Sequence, residues 1–296
     1  MEIHDQELVI VKADSVEVQD YDGNVKERDS YTAELDLSDI GKGTYPYYML
    51  KEIDEQPSVM RKISQTYFDE NGDVKVEPQI IDALSKADRI YIYAAGTSYH
   101  AGLVGKTLLE HYTGIPTEVG LASEAGYHFP MLSKKPFFIF LTQSGETADS
   151  RVVLKEVNKR NIPSLTITNV EGSTLSREAD YTMLLEAGPE IAVASTKAYT
   201  AQIAVQAVLA KALGEALNNQ DAKDWNLKHD LAIAAEGMQQ LVDSKESLKE
   251  IADKYLIKSR NAFYIGRGID YAVALEGALK LKEVSYIQTE GFAAAE

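Results

Sequence analysis

The chain has 296 residues, enough for one large or two medium domains with ample core. Its 46 acidic residues outnumber 30 basic ones, for a formal net charge of −16. That excludes a nucleic-acid surface built on basic patches and leaves any anionic ligand to be drawn by local groups alone. There is no cysteine, so disulfides, thiolate metal sites and a cysteine nucleophile are excluded. No apolar run is long enough for a membrane span, and residues 1–30 are too acidic and polar for a signal peptide.

Taken in order, Leu8–Val11 and Val16–Val18 read as short strands, with a hairpin turn at Asp22-Gly23. Residues 1–44 form a β tail with little to bury by itself, expected to be poorly ordered. From Tyr45 to Phe68 the pattern is helical, with an interruption expected at Pro57, and a second helix covers Ile80–Lys86. Five apolar runs then read as strands, over 89–94, 117–121, 137–142, 164–168 and 181–185. Helical runs at 99–113, 147–160 and 196–217 lie among them. Strands alternating with helices predict a doubly wound α/β fold, a five-stranded parallel sheet covered on both faces, over 45–224. Residues 226–257 read as two polar-faced helices, and a strand at 262–266 opens a second such domain within 225–296.

That second domain is a repeat of the first. Residues 91–124 align without gaps onto 263–296 at an offset of 172. The identities are Gly96/Gly268, Tyr99/Tyr271, Leu103/Leu275, Gly105/Gly277, Leu109/Leu281, Ile115/Ile287, Thr117/Thr289, Glu118/Glu290, Ala122/Ala294 and Glu124/Glu296. These are 10 of 34 positions, against roughly one in sixteen for unrelated sequence. Both copies read strand, Gly turn, helix, short strand, and the period is too long for a solenoid.

Two turns carry candidate chemistry. Phe137–Leu141 runs into Thr142-Gln-Ser-Gly-Glu-Thr147 and then a helix. A helix start offers unpaired N–H groups and partial positive charge, and Thr142, Ser144, Thr147 and Gln143 add neutral donors: an anion cradle without Lys or Arg. Gly96-Thr97-Ser98 follows another strand in the same way, so both turns converge at the carboxyl ends of the sheet. The ordinary alternative for each is helix capping by Ser or Thr. Glu276, Lys280 and Glu283 stand at i, i+4, i+7 on one helix face. The ordinary reading is a solvent-facing salt-bridge row; on a helix this apolar, the stripe faces a cleft.

Four stretches together resemble the sugar isomerase (SIS) domain family: Ala95-Gly-Thr-Ser98, Thr142-Gln-Ser-Gly-Glu-Thr-Ala-Asp149, Val193-Ala-Ser-Thr-Lys197 and Ala274-Leu-Glu-Gly-Ala-Leu-Lys-Leu-Lys-Glu283. A fifth, Lys42–Pro57, is similar to the linker of that family's glutamine–fructose-6-phosphate aminotransferases, whose isomerase half the whole chain resembles in order. Two positions depart from the pattern, Thr142 where Ser is commoner and Ala95 where Cys often stands.

The resemblance implies a role for each matched residue. Ser98, Thr142, Gln143, Ser144 and Thr147 hold the phosphate. Thr97, Ser195 and the Val193 backbone contact the sugar. Glu283 is the base that moves a proton between neighbouring carbons, with Lys280 assisting. It implies fructose 6-phosphate and glucosamine 6-phosphate as substrate and product. Glutamine enters only through an amidotransferase domain, of which residues 1–40 resemble the tail. No metal or organic cofactor is implied; a homodimer in the cytoplasm is, without nucleic acid or membrane. The family's ring-opening histidine and Schiff-base lysine have no match among His4, His100, His111, His128 and His229 or elsewhere, so the chain is expected to be inactive alone. The alternatives are a non-catalytic SIS-domain sugar-phosphate sensor and a stand-alone phosphosugar isomerase.

Overall fold

Tyr91, Tyr93, Phe138 and Phe140 turn to one face of a sheet, and Ile90, Ile92, Phe137 and Ile139 to the other. Two separate apolar clusters result, one on each face. The computed structural model in which this is seen describes residues 3, 6–28 and 41–295; His4, and Glu296 at the end of the repeat, lie outside that range. The chain divides into two units, Met1–Gly41 and Lys42–Glu296.

In the first unit, β1 (Glu7–Val11), β2 (Val16–Asp20) and β3 (Val25–Lys26) pair antiparallel. The turn between β2 and β3 is closed by the Asp20 carboxylate, which accepts from Asp22 N (3.1 Å) and Asn24 N (2.9 Å) and pairs with Lys26. Val18 is the buried apolar residue of this meander, while Leu8, Val11, Val16 and Val25 are exposed.

The second unit opens with α1 (Tyr48–Tyr67) and α2 (Pro78–Ser85). Pro57 does not interrupt α1, contrary to the sequence expectation. The helix runs through it with Pro57, Val59, Met60 and Ile63 buried, so packing offsets the hydrogen bond that proline cannot make. Then come β4 (Arg89–Ala94), α3 (Gly96–Thr113), β5 (Thr117–Leu121), the short α4 (Ala122–Ala125), β6 (Pro136–Leu141), α5 (Ala148–Lys159), β7 (Ser164–Thr168), α6 (Thr174–Glu178), β8 (Tyr181–Leu184) and α7 (Lys197–Ala216). The five strands are parallel in the order β5-β4-β6-β7-β8. The fully buried strand runs explain why continuous apolar stretches, rather than alternating ones, mark them in the sequence. In this order the chain reverses direction of winding between β4 and β6, the switch point at which doubly wound sheets bind ligands.

After α8 (Gln220–Asp224), α9 (Leu227–Asp243) packs on α1 through Leu227, Leu231 and Ala235, whereas α10 (Lys245–Tyr255) buries no residue. The repeat follows as β9 (Asn261–Gly266), α11 (Ile269–Ser285) and β10 (Gln288–Ala293), with β9 and β10 forming a two-stranded parallel sheet. Helix α11 lies against α3. Among the described residues no helix is long and apolar enough to cross a membrane.

Candidate functional site

The two hydroxyl-rich turns follow β4 and β6, which are hydrogen-bonded neighbours on either side of the switch point. The capping alternative fails at both. The N-cap of α3 is Ala95, which has no side chain to cap with, and Ser98 stands inside the first turn. The N-cap of α5 is Thr147, but its hydroxyl makes no cap bond; it lies 3.0 Å from the Thr142 hydroxyl instead.

The second turn is held by its own hydroxyls and by backbone N–H groups from beyond β7. Gly145 N donates to Thr142 Oγ1 (3.1 Å), Glu146 N to Ser144 Oγ (3.1 Å), Asn169 N to the Gln143 carbonyl (3.1 Å) and Leu175 N to the Gly145 carbonyl (2.9 Å). Gly145 has φ +71°, and a Cβ there would collide with Ser173, so glycine is required on two counts. Glu146, the acidic residue of the turn, is drawn off to accept from Thr174 N (2.8 Å).

Helix α11 brings a second set of groups to the start of α3. The Glu276 carboxylate, 4% exposed, accepts from Thr97 Oγ1 (3.0 Å), lies 2.7 Å from His100 Nδ1 and 3.3 Å from Lys280 Nζ. Lys280 Nζ also donates to Thr97 Oγ1 (2.8 Å) and pairs with Glu283 (2.6 Å). The solvent-facing salt-bridge row is therefore not what forms. The stripe faces α3, with Glu276 buried and Glu283 at its more exposed end. His100 and Glu276 belong to this group although no role was expected of either. The available signal was His100 one turn beyond Thr97, and Glu276 one turn before Lys280.

Ser195 and Val193 sit differently. Ser195 Oγ donates to Glu190 Oε2 (2.6 Å), and Glu190 Oε1 accepts from Thr196 N (2.9 Å) and Ala198 N (3.2 Å). A carboxylate thus serves the start of α7 that the resemblance would open to a ligand. Val193 is fully exposed on the same loop. The loop is fastened to α1: the buried Glu52 accepts from Ile191 N (2.6 Å) and Ala192 N (3.0 Å), and the buried Lys197 pairs with Glu55 (2.7 Å). That is the structural use of the linker-like motif. Among the described residues, no hydrogen bond joins Val193 or Ser195 to either hydroxyl-rich turn.

Near these groups, Tyr199 is almost fully buried with its hydroxyl unpartnered. Burial, with the Glu276 charge adding to it, holds its pKa well above the usual tyrosine value. A surface cavity of about 610 Å³ is lined by Tyr67, Lys75, Glu77, Arg177 and Glu186 among others, and by no residue of either turn. Thr182, Met183 and Leu184 of β8 also line it; the convergence of donors at the switch point is the better guide to chemistry.

The fold and its repeat have counterparts among known proteins. The SIS domain family matches residues 83–212 and 255–296, the two copies of the repeat with their surroundings. Glutamine–fructose-6-phosphate aminotransferases (isomerizing) from Streptococcus agalactiae and Streptococcus pneumoniae are 67% and 68% identical over all 296 residues. The chain spans about half, 49%, of the length of these curated relatives. The solved C-terminal domain of glucosamine-fructose-6-phosphate aminotransferase from Francisella tularensis is 33% identical, covers 86% of this chain and 71% of its own, and superposes with a TM-score of 0.76. The chain belongs to the SIS-domain family and, within it, to the isomerase half of the glutamine–fructose-6-phosphate aminotransferases.

Proposed function

We propose that this chain is the sugar-phosphate-binding, isomerising portion of an enzyme that makes glucosamine 6-phosphate from fructose 6-phosphate and glutamine-derived ammonia. The observation that carries the reading is the pair of hydroxyl-rich turns at neighbouring strand ends whose Ser98 and Thr147 hydroxyls are not used as helix caps. Ser98, Thr142, Gln143, Ser144 and Thr147 would bind the phosphate as neutral donors at two helix starts. That is the arrangement open to a chain whose net charge of −16 gives an anion no general attraction. Thr97, Ser195 and the Val193 backbone would contact the sugar.

Glu283 is the proposed base. Turning a ketose into an aldose moves a proton between adjacent carbons, and a carboxylate at the exposed end of the Glu276–Lys280–Glu283 group is suited to carry it. Lys280 places its side-chain nitrogen 2.6 Å from the Glu283 carboxylate, beside the site of charge development. A homodimer is the proposed assembly, measurable by light scattering.

Calorimetry tests the reading. Fructose 6-phosphate should bind and fructose should not, and Ser144→Ala should weaken the phosphosugar by roughly 1.5–3 kcal/mol, the loss of a hydrogen bond to a charged group. Equal, negligible heats for both sugars would overturn it.

A further inference from the structure

One face of α7 carries three buried polar atoms without a hydrogen-bond partner, the Tyr199 hydroxyl and the side-chain carbonyls of Gln202 and Gln206. The three residues stand at i, i+3, i+7, one stripe of the helix, and the stripe meets α3. The Gln206 side-chain amide donates to the backbone carbonyls of Ala101 (3.0 Å) and Gln202 (3.1 Å). Gln202, 1% exposed, donates through Nε2 to Ser98 Oγ at 2.9 Å. Gly105 leaves the space that this arrangement needs, since a Cβ there would run into the Gln206 amide.

The direction of the Gln202–Ser98 bond decides what Ser98 can do. A serine hydroxyl has one proton and two lone pairs. With one lone pair taken by the Gln202 amide, the proton is left to be given elsewhere. Among the described residues nothing accepts it, and the Ser98 backbone N–H is already spent on the Ala95 carbonyl. The opposite amide orientation would consume that proton on the Gln202 carbonyl; instead the carbonyl stays buried and unpartnered.

We infer that Gln202 is a positioning residue for oxyanion recognition: it commits the Ser98 hydroxyl as a donor aimed at the phosphate of the sugar phosphate. This rests on the sugar-phosphate reading above. A group that offers only acceptors, such as a phosphate dianion, meets a donor already oriented. A ligand presenting a hydroxyl proton at that point meets only the one remaining lone pair of Ser98 and leaves the oriented proton unused.

The test is calorimetric titration of glucose 6-phosphate into the full chain and its variants, with thermal unfolding as the control for folding. Gln202→Glu places a carboxylate that accepts the Ser98 proton and turns the hydroxyl round, so affinity should fall by on the order of tenfold or more. Gln202→Met keeps length and removes the donor; it should weaken binding several-fold, and add no further loss when Ser98 is already Ala. Parent-like affinity in either Gln202 variant would overturn the inference and leave the sugar-phosphate reading standing. So would an equal loss from Gln202→Met with and without the Ser98 hydroxyl, because Gln202 would then act only through packing. Failure of the parent chain to bind would remove the sugar-phosphate reading and this inference with it.

Discussion

The segments β4–α3–β5 and β9–α11–β10 are two copies of one structural unit, and they differ in burial and in the polar groups their helices carry. Their strand registers are the same at the offset of 172: Ile90 faces Thr117 as Ala262 faces Thr289. A glycine at positive φ stands at each helix start, Gly96 at +53° as the first residue of α3 and Gly268 at +59° as the N-cap of α11. Three hydrogen bonds recur one for one. Thr113 and Ser285 donate to carbonyls one turn back, accept from the N–H of Ile115 and Ile287, and are followed by Thr117 and Thr289 donating to those residues' carbonyls.

The chemistry has separated. The helix start of the first copy carries Thr97 and Ser98; the matching positions of the second are Ile269 and Asp270, an apolar group and a negative charge, unfit for an anion. The second copy instead contributes from the middle of its helix, with Glu276 and Lys280 where the first has Val104 and Leu108. One unit supplies a hydroxyl-rich helix start and the other the charged groups, and their helices meet. Duplication of a fold therefore did not duplicate a site.

Matched truncations probe the difference in burial most strongly. Tyr91 is fully buried, stacks on Phe138 at 5.0 Å between ring centroids, and its hydroxyl bonds both the Met131 carbonyl (2.9 Å) and Ser133 N (3.0 Å). Tyr91→Ala should cost roughly 3–5 kcal/mol by denaturant titration. At its counterpart Phe263, 65% exposed, the same change should cost less than about 1 kcal/mol. Equal losses would mean that the second copy is as tightly packed as the first.

Exchanging a residue between copies probes the chemistry. Glu276→Val, which writes in the residue of the first copy, strips Thr97, His100 and Lys280 of their shared acceptor in a buried place. A loss of roughly 1.5–3 kcal/mol is expected, moderated because Lys280 retains Glu283. No change in stability would show that the contact between α3 and α11 contributes nothing to the fold.

What could be read in advance divides along the same line. The strands of the first sheet appear within a residue or so of their expected ends, because fully buried apolar runs bounded by hydroxyl and glycine turns leave little ambiguity. The turns at 95–98 and 142–147 were legible as a converging pair because parallel topology alone brings strand ends together. The continuation of α1 through Pro57 was not, since it depends on what the flanking face packs against. Nor was the His100–Glu276 contact, which joins residues 176 apart through the docking of two helices. The carboxylate of Glu190 at the start of α7 was hidden for the same reason: its partners come from the loop's own folding back, which no periodicity encodes.

Alkaline pH should act on the well-packed region. Burial raises the pKa of Tyr67 and Tyr199, and pushes that of Tyr93 up to about 12. A tyrosine in the unfolded chain loses its proton near pH 10, so above that point the unfolded state binds fewer protons and stability falls. The decline begins near pH 10 and runs to about pH 12 for Tyr93. It steepens by at most about 1.4 kcal/mol per pH unit for each such group. Tyr93→Phe should flatten this limb, measured as unfolding midpoint against pH; an unchanged slope would remove Tyr93 from the explanation.

The smallest effect gives the sharpest comparison between copies. Gly105 and Gly277 are equivalent helix residues, and in each a side chain from elsewhere lies where a Cβ would go. At Gly105 the obstacle is the Gln206 amide, fully buried and held by two carbonyls, so it has nowhere to move. At Gly277 it is the Tyr264 ring, whose nearest atom is 2.9 Å from the ideal Cβ and which is 38% exposed, free to swing outward. Alanine in a helix gains up to about 1 kcal/mol over glycine in either place. Overpacking in a closed site costs about 1–3 kcal/mol. Gly105→Ala should therefore destabilise by about 1 kcal/mol net and, by displacing Gln206 and with it Gln202, weaken phosphosugar binding too. Gly277→Ala should be neutral or slightly stabilising and leave binding alone. If the two substitutions shifted the unfolding midpoint alike, the difference in packing between the copies would not extend to the faces of their helices.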